Sequence, residues 1–283
     1  MKLIKQSFEI LEQTDYSLKG IKQFIEKCGR VCYKSEDRIT DSSYEKFVDM
    51  LINKDHARPL EFGTVHLLIP ESDFKEAYAS LVEIGLDNCD WLQYCYYQGS
   101  YYVTTNYRYY LDIIKFVPSM QKYFSETYSK YYPKRYTVHF IISRGIMDEF
   151  RTHVTLSHLA ESTRYCNYSK GKFNNELTFV QPNWLSDEHI IDYKEKIEHH
   201  PYFAMLKREE QDYLTLINNG WIPQQAREVL PLSIKSELIS CGFGSAWNNF
   251  FYRRCAKDAH PMAREIATSL ENKLKEMGLP FVY

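Results

Sequence analysis

The chain has 283 residues, with 35 Lys and Arg against 37 Asp and Glu, a formal net charge of -2, and 44% hydrophobic and 16% aromatic side chains. That hydrophobic content is ample for a buried core and excludes disorder as the dominant state. The balanced charge argues against a general nucleic-acid or membrane-surface binder, because both need a positive excess to neutralise phosphates; any anion site must be local.

The first residues, MKLIKQSFEILEQTDYS, place a polar group every few positions and so lack the apolar stretch of a secretory signal. No segment approaches the roughly 20 apolar residues of a membrane span. Seven cysteines, at 28, 32, 89, 95, 166, 241 and 255, are odd in number and scattered, and their spacing matches no zinc ribbon. Reduced thiols in a cytoplasmic protein are the expectation, with no metal. Gly and Pro are thinly spread and no repeat is present, which favours one continuous domain over 1–283.

Ser42 with Glu45 offers a capping box, and Phe47, Val48, Leu51 and Ile52 follow at helical spacing up to a break at 55–59. A β-branched and aromatic run then predicts a strand from Phe62 to Pro70. Tyrosine pairs begin at 96, 101, 109 and 131 and are expected to pack a helical region before a second strand over 136–143. Within that region Asn106 and Arg108 read either as structural residues or as a folate- or flavin-facing pair. A helix is predicted over 145–156, and a short strand over 176–180 is closed by Pro182. Next comes a helix over 202–219, stopped by Gly220. His199-His200 reads as a solvated loop, since nothing around it has metal-ligand spacing. In the last helix Asp258 caps, Pro261 opens the first turn, and Met262, Ile266, Leu270 and Leu274 recur every four residues. Strands separated by helical blocks without regular βαβ alternation predict an α+β fold.

Polar groups concentrate in RGIMDEFRTHVTLSHLAESTRYCNYSKGKFNNELTFVQ, from Arg144. On the predicted helix Glu149 and His153 share a face, and the following chain is free to bring Ser162 and Arg164 back towards them. An Arg beside a Ser hydroxyl forms a cradle for an oxyanion or phosphate, although such an Arg also serves in ordinary surface pairing. A second block, from Ala226, carries Arg227, Arg253, Arg254 and Arg264. Arg227 precedes an apolar Val-Leu-Pro-Leu run, so it needs a partner: Glu228, Glu237 or a bound anion.

Together these blocks resemble the flavin-dependent thymidylate synthase family. Its signature is Arg-His-Arg, seven residues, Ser, one residue, then Arg-Tyr; here Thr152-His153-Val154 is followed at that spacing by Ser162, Thr163 and Arg164-Tyr165. His56-Ala-Arg-Pro-Leu-Glu61, Ala226-Arg-Glu-Val-Leu-Pro231, Trp247 to Arg254 and Ala259-His260-Pro261 fall in the family's order. The resemblance implies mixed helices and antiparallel sheet, a homotetramer with active sites where subunits meet, and reductive methylation of dUMP to dTMP. It implies FAD, NADPH and methylenetetrahydrofolate, and no catalytic cysteine. Carried over by position, Ser162, Arg164, Arg227 and Arg254 bind the nucleotide, with Ser162 and Arg254 at the chemistry. Glu61, His153 and Asn249 line the flavin site.

Five positions depart from the pattern. Both signature arginines are replaced, by Thr152 and Val154; Glu149 stands where the family has Gln; Phe62 replaces a His; and Ala160 replaces Glu or Gln. Arg151, Lys170 and Lys172 are the candidates to restore the lost charge. The departures leave a second expectation open: a paralogue that binds a uracil nucleotide but performs another C5 modification or has lost flavin catalysis. A single-stranded nucleic-acid binder using stacked Tyr and Arg is disfavoured by the charge balance.

Overall fold

The computed structural model describes residues 1–185 and 200–278. Strands β1 (Lys2–Ile4) and β2 (Ser7–Leu11) precede helices α1 (Leu18–Val31) and α2 (Ser43–Asn53). Then come β3 (Thr64–Pro70), α3 (Glu71–Glu83), β4 (Leu92–Tyr97), β5 (Ser100–Asn106), α4 (Tyr107–Phe116) and β6 (Phe124–Ser125). Strand β7 (Arg135–Ser143) leads into α5 (Arg144–Phe150), β8 (Ser157–Ala160) and β9 (Thr178–Val180). Helix α6 (Pro201–Asn218), a turn at Pro223–Ala226, β10 (Lys235–Phe243), α7 (Gly244–Arg254) and α8 (Pro261–Glu276) follow.

Two antiparallel four-stranded sheets, ordered β2-β7-β10-β8 and β4-β5-β3-β6, carry the fold, and β1 pairs with β9 in parallel. This is the mixed helical and antiparallel architecture expected of an α+β chain. In the first sheet β7 and β10 pair along all nine residues, from Lys235 opposite Ser143 to Phe243 opposite Arg135. Side chains alternate across a strand, so Tyr136, Val138, Phe140 and Ile142 face one way. They meet Trp247, Phe250 and Phe251 of α7 and Ile266, Leu270 and Leu274 of α8 in one core. The buried Trp247 indole also donates to the Tyr136 carbonyl at 3.1 Å, so an apolar anchor leaves no orphan donor. The second sheet packs Val65, Leu67, Ile69 and Val103 against α1, α2 and α4. Gly63 lets the start of β3 lie close against α1: a Cβ there would sit 2.8 Å from Ile21 Cγ2 and Ile25 Cδ1 and would force them to shift.

Several expectations need correction. Ser42 makes no side-chain capping bond; Ser43 Oγ instead donates to the buried Glu26 at 2.8 Å, so α1 takes the hydroxyl. Phe62 lies in a 3-10 turn, Arg58–Phe62, and not in the following strand. The tyrosine region is largely sheet: β4 and β5 form a hairpin whose turn residues Gln98 and Gly99 have φ of 47° and 78°, the two-residue left-handed turn that suits strand twist. Tyr96 and Tyr101 pair across it at 5.0 Å. Asn106 ends β5 and caps α4 by accepting from the Tyr109 N–H. The helix predicted over 145–156 stops at Phe150, because its later residues turn to enter β8. His260, not Asp258, caps α8, its Nδ1 accepting from the Met262 N–H at 3.2 Å. His199 lies outside the described residues, while His200 occupies the N-cap position of α6.

Candidate active site

The turn after α5 and the C-terminal end of α7 border an open hollow of about 710 Å³, lined by Thr152, His153, Val154, Asn249, Tyr252, Arg253 and Arg254 among others. Arg254 organises it. Its Nε donates to His153 Nε2 at 2.9 Å, Nη1 to Glu149 Oε2 at 2.7 Å, and Nη2 to the Glu149 carbonyl at 2.6 Å and Thr152 Oγ1 at 2.9 Å. A guanidinium has five N–H donors; these four contacts leave one on Nη1. The Glu149 that replaces the family's Gln is therefore paired with a cation, and Thr152, in place of the first signature arginine, holds that cation's other arm.

His153 is buried. Burial, aided by the neighbouring Arg254 charge, pulls its pKa down to about 4, so the ring is neutral at pH 7. Since Nε2 accepts from Arg254, its proton resides on Nδ1. The His153 carbonyl accepts from His158 Nε2 at 3.0 Å, and His158 Nδ1 meets Ser240 Oγ at 2.9 Å. His158 is likewise lowered to about 4, chiefly by burial. A neutral relay thus ties the Arg254 turn to the central strand β10. Asn249 is exposed on α7 and lines the same hollow.

Glu61, a second expected site residue, is buried and fully engaged. Its carboxylate accepts from Ser157 Oγ at 2.7 Å, Arg108 Nη1 at 2.6 Å and Arg58 Nη1 at 3.2 Å. Residues from a 3-10 turn, α4 and β8 meet there. Arg58 and Arg108 side chains are 57% and 47% exposed, so one buried acid presents two guanidinium groups to solvent. The motif that signalled Glu61 also contains Arg58 but gave it no role, and Arg108 was signalled only as half of an ambiguous pair. Neither Ser157 nor His158 carried a signal, because their partners lie 96 and 82 residues away.

Ser162 begins the turn after β8. Its N–H donates to the Cys32 carbonyl at 3.1 Å, and its Oγ accepts from the Arg164 N–H at 3.3 Å. Tyr165 lies 5.7 Å from Tyr33, with the Arg164 guanidinium 5.6 Å from the Tyr165 ring. Beside them a wide hollow of about 1110 Å³ is lined by Arg30, Lys34, Arg38, Lys54, His56, Tyr165 and Lys172, among others. Beneath it, Glu237 takes Lys34, Lys235 and His139 as partners. Burial alone would raise its pKa, but the His139 hydrogen bond and both ammonium groups hold it well below the carboxylate range.

The chain does not bring all expected nucleotide residues together. Ser162 follows His158 by four residues of mostly extended chain, about 13 Å at the strand rise, so it sits beyond the far end of β8 from Arg254. Arg227 meets Glu228 at 3.5 Å, the first of its three anticipated partners. Arg164 and Arg227 do not line the Arg254 hollow. Among the candidates to restore charge, Arg151 lies 3.8 Å from Asp148, Lys172 pairs with Glu36 at 3.0 Å, and Lys170 is exposed. Exposed apolar groups flank both places: Val154 at 78% and Tyr252 at 64% by Arg254, and Tyr165 at 61% by Ser162. The cysteines are all free, and burial raises Cys28 and Cys32, which leaves neither a ready thiolate. Among the described residues no cluster of His, Cys, Asp or Glu has metal-site geometry, and no helix is long and apolar enough to cross a membrane.

Comparison with known proteins gives one family. The model described as thymidylate synthase complementing protein matches residues 134–278. Solved structures that the chain matches include a UMP/dUMP methylase, PolB from Streptomyces cacaoi, bound with 5-Br dUMP, at 15% identity over 98% of this chain and 93% of that one, TM-score 0.44. Thymidylate Synthase X from Helicobacter pylori with FAD and dUMP aligns at 18% identity over 49% of this chain and 66% of that one, TM-score 0.38. No curated protein matches the sequence. The matched span holds the signature turn, β10 and the Arg254 helix, and the chain belongs to the thymidylate synthase complementing protein family, the flavin-dependent thymidylate synthases.

Proposed function

We propose that the protein methylates C5 of a uracil nucleotide, converting dUMP to dTMP with methylenetetrahydrofolate, FAD and NADPH, in a homotetramer whose active sites form where subunits meet. The observation that carries the reading is Arg254, which lines the hollow and is fixed by Glu149, Thr152 and His153 with one Nη1 N–H left unused by these contacts. A cation held before the reaction begins stabilises charge developing on a pyrimidine carbonyl without reorganising. Ser162 and Arg164, with Arg227, take the nucleotide from a second chain, since within one chain they lie away from Arg254.

The flavin fits the donors present. Two half-exposed guanidinium groups on Glu61 suit a pyrophosphate, and they offset in charge the two arginines missing from the signature. Glu61 acts by holding Arg58 and Arg108, while neutral His153 and exposed Asn249 supply polar edges. When bound, the flavin supplies hydride for reduction of the one-carbon unit at C5.

Absorbance of the purified protein tests this reading: a flavin spectrum that bleaches with NADPH, and methyl transfer to dUMP, are expected. A colourless protein that takes up no added FAD would sink it. A second reading, a paralogue with another C5 modification or without flavin catalysis, is favoured by the Glu149–Arg254 ion pair, which cancels the cation's charge. Turnover of UMP or dCMP in preference to dUMP would select it.

A further inference from the structure

A third cavity, of about 400 Å³, opens between the end of β2, the start of β3 and residues 128–137. It shares no lining residue with either hollow described above. Its size is that of a small-ligand pocket, and its walls are aromatic. Tyr128, Tyr16, His66 and Tyr132 form a continuous ring stack, with centroids 5.9, 4.3 and 3.9 Å apart in that order. The outer member, Tyr128, is 62% exposed. The stack therefore ends on an open face.

The charges around this cavity are unbalanced. Lys130, Lys134 and Arg135 line it, and Glu12 is the one acid among the described lining residues. Lys130 and Lys134 lie over the rings of Tyr131 and Tyr136 at 5.3 and 5.1 Å, and neither has a carboxylate partner among the described residues. Arg135 spends its fork on neutral acceptors, the Glu61 and Gly63 carbonyls and Thr64 Oγ1. Its charge is thus unneutralised, although the side chain is partly buried. Buried cations are ordinarily paired.

His66 adds a polar handle. Only 3% of the residue is exposed, and its Nδ1 has no partner among the described residues. Thr104, directly opposite on β5, also has an unpartnered buried Oγ1. Burial first, then the Arg135 charge, lowers the His66 pKa to about 3, which keeps the ring neutral and able both to donate and to accept. Gln13 clips the wall in place: its Nε2 donates to the Thr64 carbonyl at 2.9 Å, and its Oε1 accepts from the Thr64 N–H at 2.8 Å. The wall is fixed before any ligand arrives.

We propose that this cavity binds a planar heteroaromatic anion, with its ring against the Tyr128–Tyr16–His66 wall and its acidic group between Lys130 and Lys134. Contact of the ligand's face with the ring edges of this wall supplies area at low entropic cost, the two ammonium groups select for negative charge, and the His66 edge selects for a ring with polar atoms over a hydrocarbon. The site is separate from the nucleotide site and stands whether or not the methyltransferase reading holds.

Equilibrium dialysis of the intact protein tests it, with pterin-6-carboxylate and 5′-AMP as anionic probes and unsubstituted pterin as the neutral control. At least one anionic probe is expected to bind more tightly than neutral pterin and to weaken as salt rises. Tyr128→Ala and the double variant Lys130→Gln/Lys134→Gln change exposed side chains, so the fold should survive, and each should weaken that probe tenfold or more. Excess dUMP should leave it bound. Failure of both anionic probes to bind, equal binding by the variants, or displacement by dUMP in proportion to its occupancy would each overturn the proposal.

Discussion

Arg164 of the signature and Arg254 of the second block are both expected at the nucleotide, yet the fold treats them in opposite ways. Arg254 is 17% exposed in its side chain and engaged by three residues. Arg164 is exposed and rests on the ring of its neighbour Tyr165. One guanidinium has had its freedom removed in advance; the other still has most of it to lose. The first arrangement suits a group that must meet charge developing in a transition state, where reorganisation costs rate. The second suits a group that closes on a phosphate or on another chain.

The largest expected effect breaks the ordered side. Arg254→Ala should lower kcat by about 10²- to 10³-fold, the range for loss of a fixed oxyanion donor. A fall in kcat/KM carried by KM alone would show that Arg254 merely binds. Next is the shared-site reading. Arg254→Ala and Arg164→Ala chains, each strongly impaired alone, should regain activity when unfolded and refolded together, because mixed assemblies contain intact sites. No recovery from assemblies shown to be mixed would place the whole site within one chain. Glu149→Gln comes third. It keeps an acceptor for Nη1 but removes the charge, so dUMP should bind about fivefold to tenfold more tightly at low salt, on the order of 1 kcal/mol. Unchanged affinity at two ionic strengths would mean that the acid only orients the arginine.

The same contrast explains what the sequence disclosed. Strands β3, β7 and β9, and helices α2, α6 and α8, were legible because apolar residues recur at strand or helix spacing. The four-residue repeat Met262, Ile266, Leu270 and Leu274 is buried throughout. The β4–β5 hairpin was missed because its tyrosines lie on both faces and mask alternation. Helix α5 was drawn too long because Thr152 to Leu156 has helical composition, while pairing of β8 with β10 ends the helix early. For the site, the family resemblance put forward Arg254, His153 and Glu61, but it did not show what holds them. Arg254 reaches Glu149 across 105 residues and Glu61 reaches Ser157 across 96. The Lys34, Lys235, Glu161 and Glu237 network was equally silent, since each member alone reads as a surface charge.

The smallest predicted effect concerns the neutral relay behind Arg254. Burial holds the pKa values of His153 and His158 down to about 4 in the folded chain, against the ordinary histidine value of 6.5. Between pH 4 and 6.5 the unfolded chain binds more protons at these positions than the folded one, so stability rises with pH across that window. The contribution is complete above pH 6.5 and is lost as pH falls towards 4. His158→Gln keeps a donor for the His153 carbonyl and removes one titrating group. Its melting temperature should therefore fall less steeply than that of the native protein between pH 6.5 and 4.5, while the two differ little at pH 7.5. Buried carboxylates such as Glu237 add to the acid sensitivity of both proteins and cancel in the comparison. A parallel pair of melting curves would show that His158 is already protonated in the fold, and the neutral link between the Arg254 turn and Ser240 would then be wrong.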